Sequence, residues 1–206
     1  MASFDVTLDA TPVVLVAQRK EFGELFGYEA RNKYEVRTPA GEVFGFAAEQ
    51  QKGFGGIVAR QFLGHWRTFD LLIFDALRNL VLRAHHPFRW FFQRLEVADA
   101  AGRALGALQR RWAWLSKRFD VEDAQGNVVL VVSSPIWRPW TFTFERNGAA
   151  VATIRKRWSG TLKEMFLDAD NFAIELQPGP LSPVERRLLV AAALFVDLMF
   201  FEKKAS

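Results

Sequence analysis

The chain has no cysteine, only three histidines and two tyrosines in 206 residues. Without a thiol there is no disulfide, no thiolate metal site, no cysteine nucleophile and no S-palmitoyl anchor. That absence fits a reducing compartment. His65, His85 and His86 are too few for a histidine-built metal centre, and the adjacent pair runs into Pro87 as a loop would. Long apolar runs are also scarce. No stretch offers ~18 uncharged apolar residues, the length a membrane-crossing helix needs. The nearest candidate, Leu188 to Phe201, is shorter and contains Asp197. Met1 to Val6 lacks the basic start and apolar run of a secretory signal, so the expected location is cytoplasmic, including peripheral attachment to the cytoplasmic membrane.

Catalytic signatures are missing too. Gly53, Gly55 and Gly56 do not complete a dinucleotide fingerprint, and Lys52 precedes them instead of closing a phosphate loop. Ser133 and Ser134 have no nucleophile-elbow context. With no acid–base or metal constellation, an enzyme is the least supported class.

What is present is apolar and aromatic: half the residues are hydrophobic, with 20 phenylalanines and seven tryptophans. That supports a sizeable core, and residues 1–206 read as a single domain. Lys and Arg outnumber Asp and Glu by 27 to 23, a net charge of +4 that favours an anionic surface. No zinc-ligand spacing, basic zipper or helix-turn-helix pattern points to nucleic acid.

A repeat runs through the middle. Phe69-Asp70-Leu71 to Ala76 resembles Phe119-Asp120-Val121 to Ala124, fifty residues later. Gly102 to Trp112 parallels Gly148 to Trp158 in the same way. The units are strands. Trp140-Thr141-Phe142-Thr143-Phe144-Glu145 alternates strictly, aromatic on one face and polar on the other. Turn residues such as Gly41, Gly126-Asn127 and Asn147-Gly148 separate the segments. About a dozen strands fit between roughly residues 12 and 177. The last element differs: Ser182-Pro183-Val184-Glu185 is a capping box, and the nine residues Leu188 to Val196 are apolar all round. Such a helix, predicted over 183–201, must be enclosed by protein or lipid. A barrel of a dozen strands has a lumen to fill. The expected fold is mainly β, a closed antiparallel barrel enclosing the hydrophobic C-terminal α-helix.

Three segments carry a family resemblance. They are Tyr28 to Val36 with Gly41 to Glu49, then Ile154 to Gly160 with Lys163 to Phe172, and finally Phe195 to Glu202. They resemble the phospholipid scramblases, relatives of tubby-like and LURP-one-related proteins, over roughly residues 12–202. The resemblance implies a twelve-stranded tubby-like barrel around a central helix. It also implies ATP-independent movement of phospholipids between membrane leaflets, or engagement of anionic phospholipid at the membrane. The alternative is a tubby-like lipid- or phosphoinositide-binding module without transport, with nucleic-acid binding behind both. The Cys-rich palmitoylation stretch of eukaryotic members is replaced here by Gly53-Phe54-Gly55-Gly56.

The resemblance further implies a calcium segment opening at Asp168 and Asp170. Counted from Asp168, position six is Ala173 instead of glycine and position twelve is Gly179 instead of an acid. Asp168, Asp170 and Glu175 alone do not supply six to eight oxygens; the alternative is that the two aspartates organise a turn. Basic–aromatic runs mark the expected lipid or anion contacts: Arg110-Arg111-Trp112 and Arg155-Lys156-Arg157-Trp158. A ring beside a cation suits the headgroup zone of a bilayer, although the same pairing stacks single-stranded nucleic acid. Asp197, a carboxylate inside the apolar helix, is expected to be protonated or paired, with a strand arginine as partner.

Overall fold

Alternation along the chain builds one continuous sheet. In the computed structural model, residues 3–19, 30–50, 68–156, 171–179 and 181–200 are described. Twelve strands follow one another: β1 (Val13–Gln18), β2 (Ala30–Arg37), β3 (Val43–Gln50), β4 (Phe69–Asp75), β5 (Leu80–His86) and β6 (Arg94–Asp99). Then come β7 (Ala104–Arg111), β8 (Ser116–Asp123), β9 (Val128–Pro135), β10 (Thr141–Arg146), β11 (Ala149–Lys156) and β12 (Asn171–Leu176). Each pairs antiparallel with its neighbour in sequence, and β12 returns to β1 with Val14 opposite Ile174, closing the barrel. The period of two puts Phe142 and Phe144 of β10 in the lumen, both fully buried, while Trp140 is half-buried at the strand's entry.

The lumen is filled by α2 (Pro183–Phe200), which is buried continuously from Leu188 to Leu198. Its start is the capping box foreseen from Ser182 and Glu185. The Glu185 amide donates to Ser182 Oγ at 3.2 Å, and the Ser182 amide donates to Glu185 Oε2 at 2.8 Å. Phe195 of α2 meets Phe119 of β8 edge-on, ring centroids 6.1 Å apart.

One element was not foreseen. Phe4–Ala10 forms a short helix, α1, whose N-cap is Ser3. It packs at the end of the barrel where α2 begins: Arg187 donates to Asp5 at 2.8 and 2.5 Å, and Arg186 donates to the Leu8 carbonyl at 3.2 Å.

The fifty-residue repeat is structural. The sequence repeat aligns β4 with β8 and β7 with β11, an offset of four strands, and the turns after β4 and β8 are alike. After β4, Asn79 donates from its amide to Asp75 Oδ1 (2.8 Å) and from its side chain to Oδ2 (2.9 Å). After β8, Asn127 makes the same two bonds to Asp123, at 2.8 and 3.0 Å. The Asn127 side chain and amide hold the Asp123 carboxyl below its ordinary value.

Gly106 shows how closely the strands approach. A Cβ there would lie 2.2 Å from the Glu122 carbonyl oxygen and 3.0 Å from Leu188. Gly106→Ala must therefore displace β8 or α2, and we expect a loss on the order of 3 kcal/mol, read as a drop of roughly 6–12 °C in thermal unfolding. An unchanged Tm would mean the β7–β8 contact is looser than drawn.

Candidate functional site

Up-and-down order sends alternate connections to opposite ends of the barrel. The two ends differ in chemistry. At the end where α2 begins, the strands are joined by tight turns, three of them organised by Asp75, Asp99 and Asp123, and Gly126 and Gly148 take positive φ. At the end where α2 stops, the connections of 87–93, 112–115 and 136–140 lie wholly among the described residues, and none contains an acidic residue. They project apolar side chains into solvent. Phe91 of the β5–β6 connection is 84% exposed, Trp114 of the β7–β8 connection 81% and Trp137 of the β9–β10 connection 76%. Beside them Phe88 and Trp90, and Trp112 and Trp114, lock edge-to-face at 5.4 and 5.9 Å. Arg89 and Arg138 are exposed among these rings. Scattered exposed hydrophobics are ordinary, but a cluster on one end marks an interaction surface.

Strand parity sorts the basic residues expected to contact anions. Arg110 shares the inward face of β7 with Leu108, and its guanidinium lies 5.7 Å from the centroid of the Phe200 ring at the end of α2. Arg111 faces outward and is neutralised: it donates to Asp120 Oδ2 at 2.7 Å and to Glu122 Oε1 at 3.1 Å. Arg94 also reaches Glu122, at 2.7 Å, so this outer wall is an ionic ladder. Trp112 belongs to the exposed aromatic cluster. On β11, Arg155 faces out toward Glu175 at 3.7 Å, while Lys156 faces in, 5.5 Å from the centroid of the Phe172 ring. Arg157, Trp158, Asp168 and Asp170 lie outside the described residues. The mouth thus has inward cations that Arg110 and Lys156 exemplify, and Lys117 of β8 is a third, 4.8 Å from the Phe200 ring. The sequence reading missed Lys117; its place two residues before buried Phe119 was the signal.

Asp197 is buried, as expected, and among the described residues a tyrosine holds it. The Tyr34 hydroxyl of β2 donates to Asp197 Oδ2 at 2.8 Å, tying helix to wall. Nearby, Gln18 donates to Asn32 and Asn32 to Glu49, at 2.9 and 2.7 Å, so polar groups on the inner wall are satisfied against one another.

The calcium reading fares differently. Positions 171–176, the middle of the supposed loop, form β12, hydrogen-bonded to β1 on one side and β11 on the other. Ala173 is a buried strand residue and Glu175 faces Arg155. A twelve-residue loop from Asp168 to Gly179 therefore does not fit the backbone. Among the described residues no group of three His, Asp or Glu side chains is arranged to hold a metal. Of the histidines, His65 lies outside the described residues, His86 is buried and stacks on Phe69 at 4.6 Å, and His85 Nδ1 lies 2.5 Å from Asp70.

A family profile described as Scramblase matches residues 4–203. The chain belongs to the Scramblase family. Human phospholipid scramblase 2 is 28% identical over 211 residues, an alignment covering 95% of this chain and 69% of that protein. Human phospholipid scramblase 1 is 29% identical, over 94% of this chain and 64% of the other. The Saccharomyces cerevisiae protein named altered inheritance rate of mitochondria protein 25 is 20% identical, covering 93% and 71%. An X-ray structure of an Arabidopsis thaliana protein matches with a TM-score of 0.50 at 12% identity, over 91% of each chain, a likeness of fold alone. Membership of the Scramblase family thus accompanies the tubby-like architecture, a closed barrel around a helix. In this scramblase-family chain, no helix among the described residues is long and apolar enough to cross a membrane.

Proposed function

We propose that this scramblase-family protein engages anionic phospholipid at a membrane surface through the aromatic mouth of its barrel. One observation carries the reading: three neighbouring connections present exposed Phe and Trp rings with arginines among them and no carboxylate. Rings of this kind settle at the bilayer interface, and each cation near an anionic surface adds about 1 kcal/mol. Protein interfaces are likewise rich in aromatics and arginine and poor in acids, so the choice of lipid over a protein partner rests on family membership. The cytoplasmic leaflet, which carries the anionic lipid, is the natural surface.

The finer activity, supported by family membership, is ATP-independent exchange of phospholipid between leaflets. A headgroup path across ~30 Å of hydrocarbon is then required. Because α2 is enclosed, exchange needs α2 to leave the lumen or the docked mouth to loosen the lipid packing. Holding lipid without exchange is the second reading, and the burial of α2 from Leu188 to Leu198 favours it.

Two measurements separate these outcomes. In flotation, the full chain should rise with phosphatidylserine/phosphatidylcholine vesicles and far less with phosphatidylcholine alone, and salt should weaken it only partly because the aromatic contribution is unscreened. Failure to float at low salt removes both readings. In reconstituted liposomes, flotation without leaflet exchange selects the binding module.

A further inference from the structure

The inner side of the mouth contains a cation that no described carboxylate neutralises. Arg110 points into the lumen against Phe200, and its guanidinium makes no ion pair among the described residues. Outward neighbours on the same sheet are all engaged: Arg111 by Asp120 and Glu122, Arg94 by Glu122. Burial holds the Arg110 guanidinium below its ordinary value, with no carboxylate among the described residues to offset that. The C-terminal pole of α2 lies here and its last turn has no basic residue. That pole is equivalent to about half a unit of negative charge, less than Arg110 alone brings. Among the described residues, positive charge is therefore in surplus at this point.

Two neighbours complete a cradle. Lys117 Nζ lies 4.8 Å from the same Phe200 ring and donates to the Pro139 carbonyl at 3.2 Å. Gln93 is the residue opposite Arg110, whose amide donates to the Gln93 carbonyl at 2.8 Å. Residues so paired share a face of the sheet. The Gln93 side chain is fully buried and its Oε1 meets no donor among the described residues. A buried acceptor left without a donor costs stability unless something else supplies one.

We infer that Arg110, Lys117 and Gln93 form a binding site for a phosphate ester at the mouth of the lumen, with the Phe200 ring as its floor. The guanidinium and ammonium take the phosphate oxygens, and Gln93 accepts from a hydroxyl or ammonium group next to the phosphate. The phosphodiester of a lipid headgroup has this chemistry, and free phosphate shares its anionic part. The inference rests on the docking reading only for the lipid as source. It also places the ligand against the last turn of α2, so that occupancy and the seating of that helix are linked.

The test uses the folded full-length chain in solution and NMR resonances of the Arg110 Nε–H and the Phe200 ring. Titration with sn-glycerol 3-phosphate should shift both resonances saturably, and inorganic phosphate should do so more weakly. Equal strength for the two would identify free phosphate as the ligand. Arg110→Gln should weaken the effect on Phe200 at least tenfold. Arg110→Lys should stay within a few-fold of the parent, which guards against a variant that merely misfolds. No saturable shift with either compound, or an undiminished Phe200 shift in Arg110→Gln, overturns the site. Vesicle flotation is scored separately on the parent chain, whose aromatic connections carry it. If the parent floats and no phosphate shift occurs, the site fails and docking stands. If the shift occurs without flotation, docking fails and the site stands as one for soluble phosphate esters.

Discussion

Replacing Trp112, Trp114 and Trp137 together by alanine should weaken binding to phosphatidylserine-containing vesicles by about a hundredfold or more. Each ring carries 150–250 Å² of surface, and sinking roughly 100 Å² of it into the interface is worth about 2.5 kcal/mol. Even if half of that is recovered by neighbouring Phe88 and Phe91, three rings together exceed the ~2.7 kcal/mol that a hundredfold requires. The rings are exposed already, so removing them opens no cavity in the core, and Tm should move by no more than a degree or two. Leu77 is the matched control. It is 71% exposed, but it sits in the β4–β5 turn at the opposite end. Leu77→Ala should bind vesicles like the parent. Equal losses in both variants would show that exposed apolar surface in general, and not the mouth, drives attachment.

The second large effect concerns the plug. Phe195→Ala should destabilise the protein by about 3–5 kcal/mol, seen as a fall of roughly 6–20 °C in Tm. Phe195 is fully buried, edge-on to Phe119 and 6.3 Å from the His86 ring, in a lumen closed on all sides by strands. The surrounding wall is hydrogen-bonded throughout and has little freedom to collapse into the space. A loss below 1 kcal/mol would mean α2 does not occupy the lumen in solution. The same variant bears on transport. If exchange requires α2 to leave, loosening the plug should raise the exchange rate at constant vesicle binding; if the mouth alone loosens the lipid, exchange should not change.

Much of this architecture could be read from the residues because local patterns agreed with the global fold. The alternation from Trp140 to Glu145 fixed both strand and inner face, and the pairing of Ser182 with Glu185 located the start of α2 to the residue. Other features depend on contacts that no local pattern carries. Helix α1 is only seven residues long and exists because its Phe4 ring packs at 5.4 Å on Phe44 and its Asp5 meets Arg187. Tyr34, which donates to Asp197, lies 163 residues away in sequence, so burial could be inferred but this contact could not. Arg110 and Arg111 read as one basic pair, yet the pleat sends them to opposite sides of the wall, one to Phe200 and one to Asp120. The clustering of aromatics at one end was available but unread. From β5 onward, connections along the chain alternate between short glycine- or asparagine-bearing turns and tryptophan-bearing segments, and an up-and-down order converts that alternation into two unlike poles.

Closure of the sheet has a further consequence. β1 lies between β2 and β12, so every strand has two partners and no row of backbone amides and carbonyls faces outward for another chain to extend. Confinement to a two-dimensional lipid surface raises the local concentration of any protein, and open-edged sheets under those conditions are prone to templated stacking. A seamless wall lets many copies crowd side by side there without nucleating fibres.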